Sequence, residues 1–239
     1  MKQGTFNTIL LASAFVIAFI IFEFMLPEFI QKGGPLVVAL IAMSIMVATY
    51  VIERILSLRK AQGKAALQKF LTTLIKHVSA GELDAAISAC DAQRGSLANI
   101  IKSGLERFRE ISGDKSMEGK DKMAEVQRVI EEATMLEMPI LEKNLVALST
   151  IASIATMVGL LGTVIGMIRS FAALAHAGSA DAVQLSQGIS EALINTAGGI
   201  SIAIASIVCY NFFTTKIDGM TYMIDEASYD ILQNLKTKL

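Results

Sequence analysis

The sequence has no tryptophan, only three prolines, two cysteines and two histidines among 239 residues, and its formal net charge is −1. Each shortage removes a class of function. A near-neutral charge gives no electrostatic footprint for nucleic acid or for a strongly acidic surface. Cys90 and Cys209 follow no metal spacing and read as buried or idle thiols. Both fall on or near the cytoplasmic side of the topology derived below, where disulfides are rare. His77 and His176 fall in different compartments of that topology, so a zinc site would need other ligands. Gly-Leu-Leu-Gly-Thr-Val-Ile-Gly (159–166) lacks the lysine and the preceding strand of a phosphate-binding loop, and a dinucleotide fold is equally excluded. No Ser/His/Asp or Cys/His arrangement stands out. The chain therefore reads as no enzyme, with no catalytic residue, no metal ligand and no cofactor.

Long apolar runs are what it has. Hydrophobic residues make up 53% of the chain, and the mean hydropathy is +0.55, too apolar for an ordinary soluble domain. Crossing ~30 Å of hydrocarbon takes about 20 residues, and four runs reach that length: about 6–26, 36–56, 147–172 and 191–213. Without tryptophan, any interfacial aromatic belt must come from Phe and Tyr. The first run reads as an uncleaved spanning helix. It is too long for a signal-peptide core, and Phe24-Met25-Leu26-Pro27-Glu28 offers no small-residue cleavage site.

The second run ends in Glu53, Arg54, Arg59, Lys60 and Lys64, which marks that end as cytoplasmic. The connection 173–190 holds no Lys or Arg and suits the opposite side. Four crossings then leave both termini in the cytoplasm. The expected organisation is an extra N-terminal membrane helix (1–30), a core membrane helix (31–57) and a cytoplasmic helical region (58–144). Two further core membrane helices (145–173 and 191–215) follow, joined by a periplasmic loop (174–190), and a cytoplasmic C-terminal helix (216–239) closes the chain.

Within the cytoplasmic region, Ser79-Ala80-Gly81-Glu82 ends one helix and starts another, and 112–120 reads as a loop. From Asp121 the apolar positions Met123, Val126, Ile130, Ala133, Leu136, Ile140, Leu145 and Leu148 recur at helical intervals. They predict one continuous helix over 121–173, on the order of 80 Å long at 1.5 Å per residue, kinked at Pro139.

The last two spans keep small and polar residues together. Gly159, Gly162 and Gly166 let another helix approach closely, for packing or for gating. On the fourth span Thr196, Gly199, Ala203 and Ser206 fall in one narrow stripe, which faces either a neighbouring helix or an aqueous path. Thr196 suits packing and pore lining equally, because a hydroxyl can close on the carbonyl of the preceding turn. Glu191 sits in the first turn of its span, where a negative charge suits the helix dipole. It reads as a cap or interhelical bond, or as part of an ion passage, with Arg169 as a partner. Neither span carries an embedded Asp, the usual proton carrier, so a titrating carboxylate would have to come from another chain.

Three segments resemble the MotA/TolQ/ExbB proton-channel family, its ExbB and TolQ branch above all. They are Val-Gly-Leu-Leu-Gly-Thr-Val-Ile-Gly-Met-Ile-Arg-Ser-Phe (158–171), Gln-Gly-Ile-Ser-Glu-Ala-Leu-Ile-Asn-Thr-Ala-Gly-Gly-Ile (187–200) and Tyr210-Asn211. The likeness is strong over 145–215 and extends from 36 onward, with 81–106 similar to the family's cytoplasmic segment.

The resemblance implies an all-α membrane protein assembling as a homo-oligomeric ring in the bacterial inner membrane. Five copies would surround two single-span helices of an ExbD- or TolR-like partner, whose membrane Asp takes up and releases protons. A TonB- or TolA-like transducer would pass the resulting motion to the outer membrane. Thr150 and Thr196 align with the family's pore-facing threonines, and Glu191 aligns with its glutamate. Three departures stand out: Thr156 and Ala205 occupy positions where the family has proline, which should straighten both helices, and the span 6–26 exceeds the three-helix pattern. Set against the proton-channel stator are a passive membrane scaffold, which leaves the threonines unexplained, and a self-contained ion channel, which lacks an embedded acid.

Overall fold

The computed structural model describes the backbone of residues 3–113, 116–176 and 182–238, and side chains over the same span except at 3–7, His176 and Ala182. Nine helices and no strand occur among the described residues: α1 (Gln3–Phe24), α2 (Glu28–Gln31), α3 (Pro35–Gln62), α4 (Leu67–Ala80), α5 (Leu83–Gln93), α6 (Ser96–Ser112), α7 (Gly119–Glu142), α8 (Leu145–His176) and α9 (Ala182–Lys236). Three stretches are long and apolar enough to cross a membrane, within Pro35–Ala80, Gly119–Ala175 and Val183–Lys236, and α1 is a shorter apolar helix over Thr8–Phe24. The chain divides into two compact units, one of Met1–Glu53 with Asn144–Phe212, the other of Arg54–Lys143 with Phe213–Leu239.

In the first unit, packing runs through small residues. Ala14 and Ala18 of α1 lie buried against Ala42 of α3, with Val38, Ile41, Ile45 and Met46 closing around them. Small side chains let helix backbones approach closely where no hydrophobic force exists between helix and lipid. The opposite face of α1 exposes Phe15, Val16, Phe19 and Ile20, as a lipid-facing helix would. Helix α9 meets α3 where Gly198 lies against Leu40, and it meets α8 along the antiparallel seam described below.

The second unit has an ordinary water-excluding core: Phe70, Leu74 and Val78 of α4, Leu97, Ile101, Leu105 and Phe108 of α6, Val126 and Ile130 of α7, and Ile224, Ile231 and Leu235 of α9 are all buried. Gly104 admits Ile130, whose Cγ1 would lie 2.5 Å from any added Cβ. As expected, α4 stops at Gly81, which takes a left-handed φ of 82°. Buried Gln93 holds the α3–α4 turn, donating to Gln62 O (3.1 Å) and Ala65 O (2.9 Å) and accepting from Ala65 N (3.0 Å). Burial also pushes the Cys90 thiol up to about 12, leaving it inert.

Glu125 organises the exposed side of this unit. It accepts from Arg107 Nη2 (2.8 Å) and Arg128 Nη2 (2.8 Å). Hydrogen bonds from Arg128 first, then from Arg107, hold its carboxyl down at about 2. A carboxyl lowered on folding adds stability in full above its unfolded value, near 4.5, and loses that contribution as pH falls toward 2. Thermal unfolding of the unit's helices, followed by circular dichroism, should show a midpoint that is flat from neutrality to about pH 5 and then falls. Glu125→Gln should lower the plateau and flatten that fall.

Two boundaries differ from the sequence expectation. The helix predicted over 121–173 is broken at Lys143 and Asn144, and Pro139 sits inside α7. Asn144 adopts φ 64°, a conformation asparagine tolerates better than most residues. Its Nδ2 donates to Glu53 Oε2 at 3.0 Å. Buried Arg54 donates from Nη1 to Leu141 O at 3.0 Å, satisfying a carbonyl that the end of α7 leaves without a helical partner. The second difference concerns the loop expected over 174–190. Helix α8 runs to His176 and α9 starts at Ala182, so only 177–181 connect them, and those five lie outside the described residues. The early turns of α9 are held by packing: Gly188 sits against Ser170, whose Oγ donates to Leu185 O at 3.1 Å. Thr156 and Ala205 lie inside α8 and α9 without a break.

Candidate functional site

The α8–α9 seam is built from backbone rather than side chains. A Cβ on Gly199 would stand 2.5 Å from Ala155 O and 2.9 Å from Gly159 Cα. One on Gly162 would meet Asn195 Cβ at 2.3 Å, and one on Gly166 would meet Gly188 O at 2.5 Å. The pairs advance along α8 as they retreat along α9, which defines an antiparallel register. Gly159, Gly162, Gly166 and Gly199 therefore all lie where two helices touch, and Ala203, 6% exposed, continues the line.

Of the stripe of α9 read from the sequence, Thr196 and Gly199 lie in this seam, and Ala203 and Ser206 are buried further along. The Thr196 hydroxyl reaches two carbonyls, Ala192 O on its own helix (3.1 Å) and Gly159 O on α8 (3.3 Å). A hydroxyl donates one proton, so these acceptors share it and its lone pairs remain as acceptors. Thr150 is separate from this group: it is exposed on the first turns of α8 and its hydroxyl closes on Val146 O at 2.7 Å.

Glu191, 7% exposed, takes Arg169 Nη1 on both carboxylate oxygens at 2.6 and 2.7 Å. The acid therefore sits one turn before Asn195 on the same face, its charge neutralised by the last charged turn of α8. Asn195 is wholly buried, and its Nδ2 donates to Glu191 O (3.0 Å) and to Gly33 O (2.7 Å) in the α2–α3 turn. That turn needs Gly34, which has φ +72° and faces Glu191 Oε1, only 2.7 Å from where a Cβ would stand. Glu191 and Asn195 thus tie three segments together: the α2–α3 turn, the end of α8 and the start of α9.

Sequence reasoning named Asn195 only as a polar residue of the span and did not see this tie, whose partners lie 162 positions apart. The signals that were available are the Glu191/Asn195 spacing of one helical turn and the Gly33-Gly34 pair. It also passed over Gly188, whose contact extends the seam.

Further along α9, Ser206 is wholly buried, fifteen residues and about 22 Å beyond Glu191 at 1.5 Å per residue. Asn195 Oδ1 and Ser206 Oγ have no hydrogen-bond partner among the described residues. A buried polar atom left in that condition costs ~1–3 kcal/mol. One face of α9 therefore carries an acid, an amide and two hydroxyls through the thickness of an apolar helix pair. No group of three or more His, Cys, Asp or Glu able to hold a metal occurs among the described residues.

This combination defines a polytopic all-α membrane protein whose last two spans pack through glycine around buried polar groups. The pattern of the MotA/TolQ/ExbB proton channel family matches residues 92–226, more than half of the chain, and the chain belongs to that family. Among its relatives is TolQ of the Tol-Pal system from Pseudomonas aeruginosa, 34% identical over 117 residues, which are 49% of this chain and 51% of that protein. The biopolymer transport protein ExbB of Pseudomonas putida is 33% identical over 143 residues, 59% of this chain and 42% of the relative. ExbB of Neisseria gonorrhoeae is 21% identical over 209 residues, 84% of this chain and 92% of the relative. Against the first two, the chain spans about half of the relative's length.

Proposed function

We propose that this chain is the wall-forming subunit of a proton-driven stator in the bacterial inner membrane. Several copies, five by likeness to the family, form a ring around the single-span helices of an ExbD- or TolR-like partner. The partner's membrane Asp carries the proton. Thr150 and Thr196 line the route and Glu191 stands at its outer end. Helices α3, α8 and α9 are the core spans and α1 is the extra outer helix, with both termini cytoplasmic.

The observation that carries this reading is the polar face of α9, from Glu191 through Asn195 and Thr196 to Ser206, held inside a glycine seam. A bundle meant only to anchor would not bury polar atoms without partners, because each one costs stability. One proton falling through 100 mV releases about 2.3 kcal/mol. That biases a two-state contact by almost fifty-fold, enough to drive rearrangement of a ring in steps.

The work is proposed to energise a TonB-like transducer for outer-membrane transport. The runner-up is a TolQ-like role in envelope maintenance, supported by the TolQ relative. The test is purification of the tagged chain from its native membrane under mild detergent. A co-purifying single-span protein with an Asp in its span is expected. Recovery of the chain as a homo-oligomer free of any such protein would contradict the reading.

A further inference from the structure

The outer end of the α8–α9 pair carries a cavity of about 530 Å³ lined by Lys32, Arg169, Ala173, Gln184, Gln187, Gly188 and Glu191. All seven residues belong to the first compact unit. Among the described residues, the charged groups in its wall are two cations and one carboxylate. The carboxylate is occupied, since both Glu191 oxygens are held by Arg169 Nη1. Arg169 uses only that one nitrogen on Glu191, and its side chain is 54% exposed. The rest of its planar fork, the Lys32 ammonium and the Gln187 amide are donors that fit a tetrahedral anion.

The cavity also has a defined depth. Residues 145–168 of α8 carry no charge, and Arg169 is the first that does; Lys32 stands three residues before Pro35, where the α3 span opens. Both cations therefore sit where hydrocarbon gives way to headgroups. Next to Arg169 on α8, Ile168 is 62% exposed and gives an apolar surface. A phosphate held in the cavity would leave its acyl chains to lie along that surface.

We propose that this cavity binds the phosphate of an anionic phospholipid headgroup, with Lys32 and Arg169 as its charged donors and Gln187 as its neutral one. The lipid is a structural ligand at the outer edge of the α8–α9 pair, next to Glu191 at the outer end of the proposed route. Its binding does not depend on proton transport.

The test uses the full chain in nanodiscs or mild detergent, with lipid retention read by native mass spectrometry. Phosphatidylglycerol should be retained in preference to phosphatidylcholine. Lys32→Gln, at an exposed position outside the packed seam, should reduce that retention about fivefold, since one cation near a membrane surface contributes about 1 kcal/mol. Gln187→Glu should abolish it, because a carboxylate then faces the phosphate where an amide donor stood. Circular dichroism of both variants should match the wild type. Equal retention of the two lipids, or unchanged retention in both variants, would overturn the proposal. Complete displacement of phosphatidylglycerol by millimolar inorganic phosphate would also overturn it, because it would assign the site to a free anion.

Discussion

Thr196→Val should leave the proposed oligomer intact and remove the proton-coupled activity proposed for it. Valine keeps the branched shape of threonine, so the seam against Gly159 stays filled. The loss is a hydroxyl that reaches Ala192 O and Gly159 O. Both acceptors are backbone carbonyls, and losing one shared donor costs about 1 kcal/mol, too little to dissolve a helix pair built on backbone contact. Proton transfer is far more sensitive. The hydroxyl can both donate and accept, and valine can do neither. Growth dependent on the proton motive force, or proton uptake by vesicles, reads the effect against the amount of complex recovered. Wild-type activity in a fully assembled Thr196→Val variant would make this hydroxyl a packing group only.

Gly199→Val should have the largest effect on the fold itself. Its Cβ would stand 2.5 Å from Ala155 O and 2.9 Å from Gly159 Cα, both backbone atoms of α8. No rotamer relieves a clash with backbone, so the two helices must separate along the whole seam. Overpacking ordinarily costs ~1–3 kcal/mol, occasionally more, and the upper end is expected here because Thr196 and Asn195 lose their contacts together. Unfolding in detergent should shift by about 3 kcal/mol, or the protein should fail to accumulate. Gly219→Ala is the control, since nothing lies within 4 Å of a Cβ there. Replacing a helical glycine with alanine in open space should stabilise by up to ~1 kcal/mol.

The parts legible in the sequence are those whose cause is local. A membrane span must satisfy its own backbone bonds, so long apolar runs announce helices; the runs 36–56, 147–172 and 191–213 each lie inside one helix, although α9 continues unbroken from Ala182 to Lys236. The glycine spacing on α8 announced a close helix contact for the same reason, since only small residues permit it. Arg169 and Glu191 were visible as opposite charges at one membrane edge, and the structure joins them.

The rest depends on contacts distant in sequence. Nothing near Asn144 marks it as the break: its left-handed turn is held by Glu53, while Pro139 offered the stronger local signal and was accommodated inside α7. Residues 183–190 lie between two apolar runs in a stretch without Lys or Arg, and so read as part of the connecting loop. Contact with Gly166 and Ser170 makes them helix. The tie from Asn195 to Gly33 spans most of the chain and has no local signature at all.

Proton flux across sealed vesicles with an imposed pH gradient is the most direct test of a wall whose carboxyl comes from another chain. Vesicles holding this chain together with the proposed single-span partner should dissipate the gradient, and vesicles holding either one alone should keep it. Changing the partner's membrane Asp to Asn should restore the gradient in the first set. Rapid dissipation by this chain alone, or none from the assembled complex, would contradict the proposal.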